Sequence, residues 1–100
     1  MLTVQSINQI ATDERVRRGR PYIMGTSVTV ADVAIVKIYH QLDADDIAQW
    51  FDLELSHVYA ALAYYYDHKE ELDADIQAQI RRAEEFKENR VGGPDSLLSR

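Results

Sequence analysis

The sequence contains no cysteine, only two prolines and four glycines, and no long apolar run. Without cysteine the chain can form neither a disulfide nor a thiolate nucleophile, which suits a reducing compartment. No stretch approaches the roughly 20 consecutive apolar residues of a membrane-spanning helix. The first residues also lack the basic start and apolar core of a secretory signal. We therefore expect a cytoplasmic protein, and its 100 residues, 46% of them hydrophobic, are typical of a small globular fold.

Positive charge is scarce in the middle of the chain. Residues 31–80 hold two lysines and eleven acids (net −9), residues 1–30 hold four arginines and two acids (net +2), and residues 81–100 hold five basic and four acidic residues (net +1). An acidic middle repels phosphate groups, whereas a basic segment attracts them. DNA contacts are therefore expected at the N-terminal arginines, for which a solvated surface loop is the alternative. These candidates are Arg15, Arg17, Arg18 and Arg20.

Motifs of catalysis, metal binding and phosphate binding are also missing. The sequence has no Gly-x-x-x-x-Gly-Lys loop, no Gly-x-Gly-x-x-Gly turn and no His-x-x-x-His pair. His57 and His68 share a predicted helix, but about 16 Å of helix axis separates them, which is too far for one metal ion. We predict no catalytic residue, no metal site and no cofactor. An enzyme of unrecognised type, with its chemistry at residues 64–68, is the last alternative.

The stretch GRPYIMGTSVTV at residues 19–30 differs from the remainder, which is rich in Ala, Asp, Glu and Leu. It predicts a β-hairpin with strands at 22–24 and 27–30 joined at Gly25 and Thr26, because glycine accepts a positive φ and Val and Thr favour strands. A lone hairpin is only marginally stable in water. It needs support from helices, from residues 4–10 beside it, or from a second copy of the chain.

Capping signals and apolar spacing predict four helices after the hairpin. Thr29 and Asp32 form a capping pattern before an almost wholly apolar helix over residues 30–40. Asp43 and Asp46 precede a second helix, whose apolar residues follow the i, i+3, i+4, i+7 spacing. A turn at residues 52–54 leads to a third helix, which bends near residue 68 into a last helix that reaches residue 89. A Gly-Gly-Pro stop follows, and residues 95–100 form a tail.

These elements predict a mainly α fold: a small N-terminal β-hairpin, then a helix-turn-helix-like bundle, then a long C-terminal helix. Residues 1–76 form the domain that contains the hairpin and the helix-turn-helix-like helices. Residues 77–100 form the end of the last helix and a flexible, partner-binding extension.

The predicted dimer contacts lie in the hairpin and in a cluster of tyrosines. An edge strand carries unpaired backbone N–H and C=O groups that a second copy can satisfy. The tyrosines of the third helix lack the adjacent positive charge of a base-stacking surface, which favours core or dimer packing. His57 joins the N-terminal arginines as a candidate DNA contact. The candidate dimerisation residues are Tyr22, Ile23, Val28, Tyr64 and Tyr65.

Two blocks of the sequence carry a family resemblance. They read GRPYIMGTSVTVADV at residues 19–33 and LELSHVYAALAYYYDHKEELDADI at residues 53–76. Their order and spacing resemble the domain-of-unknown-function family 433, and the resemblance covers residues 7–76. Ser27 departs from the pattern, since the family often has arginine after the Gly-Thr turn. The matching positions are Gly19, Pro21, Ile23, Gly25, Thr26, Val28, Val30, Leu55, Val58, Ala61, Leu62, Tyr64 and Tyr65.

The resemblance implies a homodimer similar to small helix-turn-helix proteins, repression of its own operon, and inhibition of a PIN-like nuclease. We therefore predict an antitoxin-like binding protein of a type II toxin–antitoxin pair; the alternative is a stand-alone DNA-binding transcriptional regulator. Arginine can pair bidentately with the metal-binding carboxylates of such a nuclease. The predicted partner-binding residues are Arg81, Arg82, Phe86, Arg90, Leu97, Leu98 and Arg100.

Overall fold

The computed structural model of the chain describes residues 1–5 and 7–91. The elements are, in chain order, β1 (Ile10–Ala11), a single 3₁₀ turn (Arg17–Gly19), β2 (Tyr22–Ile23), α1 (Val30–Tyr39), α2 (Ala44–Phe51), α3 (Leu55–Asp67) and α4 (Lys69–Val91). The predicted fold class is confirmed, because the described chain is mainly helical, with a two-stranded antiparallel sheet near its N-terminus and a long last helix.

The strand pairing differs from the predicted hairpin. β2 pairs antiparallel with β1, in the register that places Ile10 opposite Ile23. The predicted second strand contributes only an isolated bridge between Tyr22 and Thr29. Thr29 is the N-cap of α1, so the helix takes the residues that would otherwise extend the strand. β2 is therefore supported by the N-terminal segment and, through the fully buried Ile23, by the helices, which are two of the three supports that the sequence left open.

The turn after β2 forms at the predicted place. Gly25 has a φ of 83°, a value that L-residues with a side chain rarely adopt. The Ile23 N–H donates to the Val28 carbonyl at 2.9 Å. The Thr26 hydroxyl donates to the Ile23 carbonyl at 2.8 Å and accepts the Val28 N–H at 3.0 Å. These bonds close the turn and set the chain on its path into α1.

α1 begins with the capping box that the sequence predicts. Thr29 Oγ1 accepts the Asp32 N–H at 3.0 Å, and Asp32 Oδ2 accepts the Thr29 N–H at 3.1 Å. These bonds satisfy backbone donors that lack partners inside the helix. The helix behind them is apolar and buried on several sides. Its buried residues are Val30, Ala31, Val33, Ala34 and Val36.

α2 and α3 are joined by a three-residue turn. Asp43 Oδ1 accepts the Asp46 N–H at 2.9 Å, so this carboxylate caps α2 as predicted. Asp52 ends α2 in the left-handed conformation, with a φ of 57°, which is a common way to end a helix. α3 then begins at Leu55 and ends before His68, whose N–H donates to the last carbonyls of α3.

The core lies where α3 packs against α1 and α2. Fully burying a valine or isoleucine side chain stabilises the folded state by about 1.5–3 kcal/mol. Residues from β2, α1, α2 and α3 all contribute, which makes the small sheet part of the same core. In order of volume, the largest fully buried side chains are Tyr65, Ile23, Ile47, Val30, Val33, Val58 and Thr29.

The chain divides into two compact units, Met1–Lys69 and Glu70–Arg100. Along α4 the side-chain exposure rises: Leu72 and Ile76 are buried, Ile80 is half-buried, and residues 81–88 are all exposed. Within residues 1–5 and 7–91, none of the helices combines the length and the hydropathy needed to traverse a bilayer.

Candidate binding surfaces

The N-terminal arginines occupy a tight loop between β1 and β2. Three consecutive residues there are left-handed: φ is 47° at Arg17, 60° at Arg18 and 78° at Gly19. Glycine tolerates this region, but a residue with a Cβ incurs about 1–2 kcal/mol in it. Backbone hydrogen bonds from the Gly19 N–H to the Val16 carbonyl and from the Arg20 N–H to the Arg17 carbonyl close this turn, and Arg17 is also held from outside the loop.

Arg17 makes these outside contacts with the segment that begins α1. Its guanidinium donates to Asp32 Oδ2 at 2.8 Å and to the Ser27 carbonyl at 3.0 Å. The same Asp32 oxygen accepts the Thr29 N–H in the capping box. The ion pair thus ties the loop to the start of α1, and it engages a guanidinium that the sequence predicts to contact DNA.

The other three arginines differ in accessibility. Arg15 Nη2 lies 3.1 Å from Asp13 Oδ2, while the Arg15 side chain remains 89% exposed. The hydrogen bond from Arg15 holds the pKa of the Asp13 carboxyl below its ordinary value. Arg18 is exposed and Arg20 is half-buried. Arg15 and Arg18 therefore present the most accessible positive charge of the predicted DNA contacts.

The outward face of α3 carries no side chain suited to reading DNA bases. His57 Nδ1 accepts the Glu54 backbone N–H at 3.2 Å, so this candidate DNA contact caps the start of the helix. Base edges are usually read by Arg, Lys, Asn or Gln, and the sequence of α3 contains none of these. The exposed residues of α3 are Leu55, Ser56, Tyr59, Ala63, Tyr66 and Asp67.

Tyr64 and His68, the centre of the enzyme alternative, stack with ring centroids 4.0 Å apart. His68 Nδ1 lies 3.0 Å from the Tyr64 carbonyl oxygen and 3.9 Å from Asp67 Oδ2. These contacts hold the His68 ring against the end of α3. Packing at the helix end therefore explains why Tyr64 and His68 lie together. In the part of the chain that the structure describes, no group of three or more His, Cys, Asp or Glu side chains could hold a metal ion.

The candidate dimerisation residues fall into two sets. Ile23 is fully buried and Tyr65 is 1% exposed, so both side chains belong to the core of the single chain. Tyr22, Val28 and Tyr64 are half-buried. Of the five candidates, only Tyr22, Val28 and Tyr64 therefore keep accessible surface that a second copy of the chain could contact.

An open groove of about 710 Å³ lies beside α3. Ile7 and Ile10 line one part of it, and Ala60, Ala63 and Tyr64 line another. The lining is mostly apolar, with Tyr66 and Asp67 among its members. The groove places the dimerisation candidate Tyr64 beside an accessible apolar surface.

The candidate partner-binding residues lie late in the chain. Arg81, Arg82 and Phe86 are exposed on α4, and the Phe86 side chain is 61% exposed. Arg90 lies in the last turn of the same helix. The remaining three candidates, which lie outside the described residues, are Leu97, Leu98 and Arg100.

Sequence reasoning missed an aromatic surface at the ends of α1 and α2. Trp50 is 58% exposed, and its ring centroid lies 5.6 Å from that of His40. The helical spacing places Ile47 and Phe51 on the inward stripe of α2 and leaves Trp50 outside it. A large aromatic residue outside an amphipathic stripe was therefore the signal available in the sequence.

One comparison with known proteins gives a match. A family model described as "Protein of unknown function (DUF433)" matches residues 10–65. The match includes both strands, α1, α2 and most of α3, and it covers more than half of the chain. No significant match was found among curated proteins or among solved structures.

Proposed function

The chain belongs to DUF433, a protein family of unknown function, and we propose that it acts as an antitoxin-like binding protein. In this proposal it is the antitoxin of a type II toxin–antitoxin pair and neutralises a PIN-like ribonuclease. The observation that carries the proposal is the later part of α4, where every side chain from residue 81 to residue 88 is exposed.

This part of α4 has the composition of a helix that binds in a groove. Arg82 and Phe86 are four residues apart, so they lie on one face of the helix. Arginine and aromatic residues dominate the binding energy of protein interfaces, and an exposed helix face with such anchors fits a partner's groove. Phe86 is 61% exposed, so this part of the helix carries an exposed aromatic side chain.

The charge of this segment fits an acidic nuclease site. A PIN-like active site is a group of carboxylates that hold divalent metal ions. A guanidinium can bind such a carboxylate through two parallel hydrogen bonds and compete with the metal. Arg81 and Arg82 are exposed, and Arg90 follows later in the same helix.

The test is the combined variant Arg81→Ala, Arg82→Ala and Phe86→Ala in the full chain. Alanine preserves helix propensity, and substitutions at exposed positions change stability by about 0.5 kcal/mol or less. We expect at least a 100-fold loss of affinity for the proposed nuclease partner, the product of the gene beside this one in a type II pair, since two or three anchors are removed. Co-purification and inhibition of that protein's ribonuclease activity measure the effect.

The matched control replaces Glu84, Glu85 and Glu88 with alanine. These residues are exposed in the same segment, but their removal takes away negative charge, so binding to an acidic site should persist or strengthen. If the arginine and phenylalanine variant still co-purifies with the nuclease and inhibits it, α4 is not the neutralising element.

A second candidate function is operator binding by a dimer. It is favoured by the three-residue connection between α2 and α3, a feature of helix-turn-helix proteins, and by the exposed charge of Arg15 and Arg18. Since α3 lacks base-reading side chains, the arginines would contribute mainly phosphate contacts, which give salt-dependent affinity.

We expect the double variant Arg15→Ala and Arg18→Ala to weaken binding to the upstream DNA of its own operon. Loss of two phosphate contacts should weaken binding to all sequences alike. The slope of log affinity against log salt concentration should become shallower by about 2. A mobility-shift titration at several salt concentrations measures both, with Lys87→Ala, an exposed lysine on α4, as the control. Absence of any complex at low salt with the wild-type chain would remove this candidate.

A further inference from the structure

Trp50, the chain's single tryptophan, is 58% exposed near the end of α2. Two neighbouring rings contact it. Its ring centroid lies 5.6 Å from that of His40, with 36° between the planes, and 6.5 Å from that of Phe51. An indole presents a large, rigid apolar face and has only two side-chain torsions to restrict on binding, a common property of interface anchors.

A small groove adjoins this ring. Leu42 and Gln49 join Trp50 in the lining of an open groove of about 460 Å³. All of these residues belong to the unit Met1–Lys69. We name this patch, made of Leu42, Gln49 and Trp50, the Trp50 surface.

The Trp50 surface is electrically negative. α1 ends at Tyr39 and α2 ends at Phe51, and the contact between the His40 and Trp50 rings brings these two helix ends together. The C-terminal end of a helix carries a partial negative charge. Asp46 lines the groove and Asp52 caps α2. Lys37 lies in the last turn of α1, but residues 31–80 hold eleven acids against two lysines, so the net field attracts cations and repels phosphates.

We propose that the Trp50 surface docks an amphipathic helix of a partner protein that carries arginine or lysine beside an apolar anchor. The apolar anchor enters the groove, and the cation lies over the indole face, where the ring quadrupole and the two helix ends both favour positive charge. Charge complementarity selects this occupant over nucleic acid or an anionic membrane. The proposal is independent of the antitoxin function, because it uses neither α4 nor the N-terminal arginines.

The test uses the intrinsic fluorescence of Trp50 in the full chain. The probe is a 14-residue helical peptide with leucine on one face and arginine on the other. We expect a saturable change in emission and an affinity that falls as salt rises, because exposed charges are screened. A peptide with glutamate in place of arginine, and one with serine in place of leucine, should each bind at least 10-fold more weakly.

The variant Trp50→Ala locates the site, with binding followed by the anisotropy of a labelled peptide. We expect at least a 10-fold loss of affinity, which is the usual effect of truncating an aromatic anchor. Tyr66→Ala is the control, since that ring is 57% exposed on α3 and lies outside the Trp50 surface. Circular dichroism of both variants confirms folding.

Three outcomes overturn the proposal. The first is equal binding of the arginine peptide to the Trp50→Ala and wild-type chains. The second is equal binding of the glutamate and arginine peptides to the wild-type chain. The third is a change in Trp50 emission that depends on protein concentration alone, which would assign the surface to a second copy of this chain.

Discussion

Replacement of Tyr65 by alanine is expected to lower the free energy of unfolding by about 3–5 kcal/mol. Tyr65 is 1% exposed and is the largest fully buried side chain of the described residues. It lies on α3, the helix that packs against both α1 and α2, so its removal leaves a cavity where three helices meet. A domain of this size has a total stability of about 5–15 kcal/mol, and the loss is therefore a large fraction of it.

Tyr66→Ala is the matched control, because the two tyrosines are adjacent and their rings lie 5.1 Å apart. Tyr66 is 57% exposed, and we expect its replacement to cost about 1 kcal/mol or less. Urea denaturation followed by circular dichroism measures both. Equal losses from the two variants would contradict the assignment of Tyr65 to the core.

The same measurement separates core packing from dimer packing at Tyr65. If the side chain stabilises a dimer interface, the loss of stability must depend on protein concentration, since association contributes by mass action. For a core residue of a single chain, the difference between wild type and variant is independent of concentration. We expect the difference in stability to be independent of protein concentration, because Tyr65 is buried within a single chain.

The helices are the part of the fold that local sequence determines. Thr29 and Asp32 lie three positions apart, as do Asp43 and Asp46, and each pair forms the predicted cap. A cap requires only residues within one turn of helix, so its pattern can be read directly from the sequence. The bend after α3 likewise lies at His68, one residue before α4 begins.

The strand pairing depends on contacts that are distant in sequence. Ile10 pairs with Ile23, and the sequence named this N-terminal segment only as one of three supports. Thr29 satisfies both a strand pattern and a capping pattern, and the capping box prevailed because it satisfies backbone donors at the start of a buried helix. Local pattern alone does not decide between two such uses of one residue.

The candidate sites also depend on contacts between residues that are distant in sequence. Arg17 and Asp32 are fifteen residues apart, so the ion pair between them depends on how the loop returns to α1, which charge counting does not give. The sequence predicts Ile23 as a dimer contact because it lies in a candidate edge strand, and Tyr65 because the tyrosines of α3 suit core packing and dimer packing alike. Only the packing of the chain distinguishes those two environments.

Ending the chain after Asn89 is expected to abolish binding to the proposed nuclease partner and to leave the fold of Met1–Lys69 intact. The truncation removes four of the predicted partner-binding residues: Arg90, Leu97, Leu98 and Arg100. Every core residue that the structure describes lies before residue 77, so the melting temperature should change by only a few degrees. Thermal denaturation and the ribonuclease inhibition assay measure the two effects separately.

The truncation and the combined variant Arg81→Ala, Arg82→Ala and Phe86→Ala (the α4 variant) together locate the segment that neutralises the nuclease. Loss of inhibition in both means that the partner contacts α4 and the residues after it as one continuous surface. Loss in the α4 variant alone means that residues 81–88 suffice, and the predicted role of Arg90 and Arg100 is then wrong. The full-length double variant Arg90→Ala and Arg100→Ala tests the arginines themselves, because it keeps the chain length constant and removes only the groups expected to pair with nuclease carboxylates.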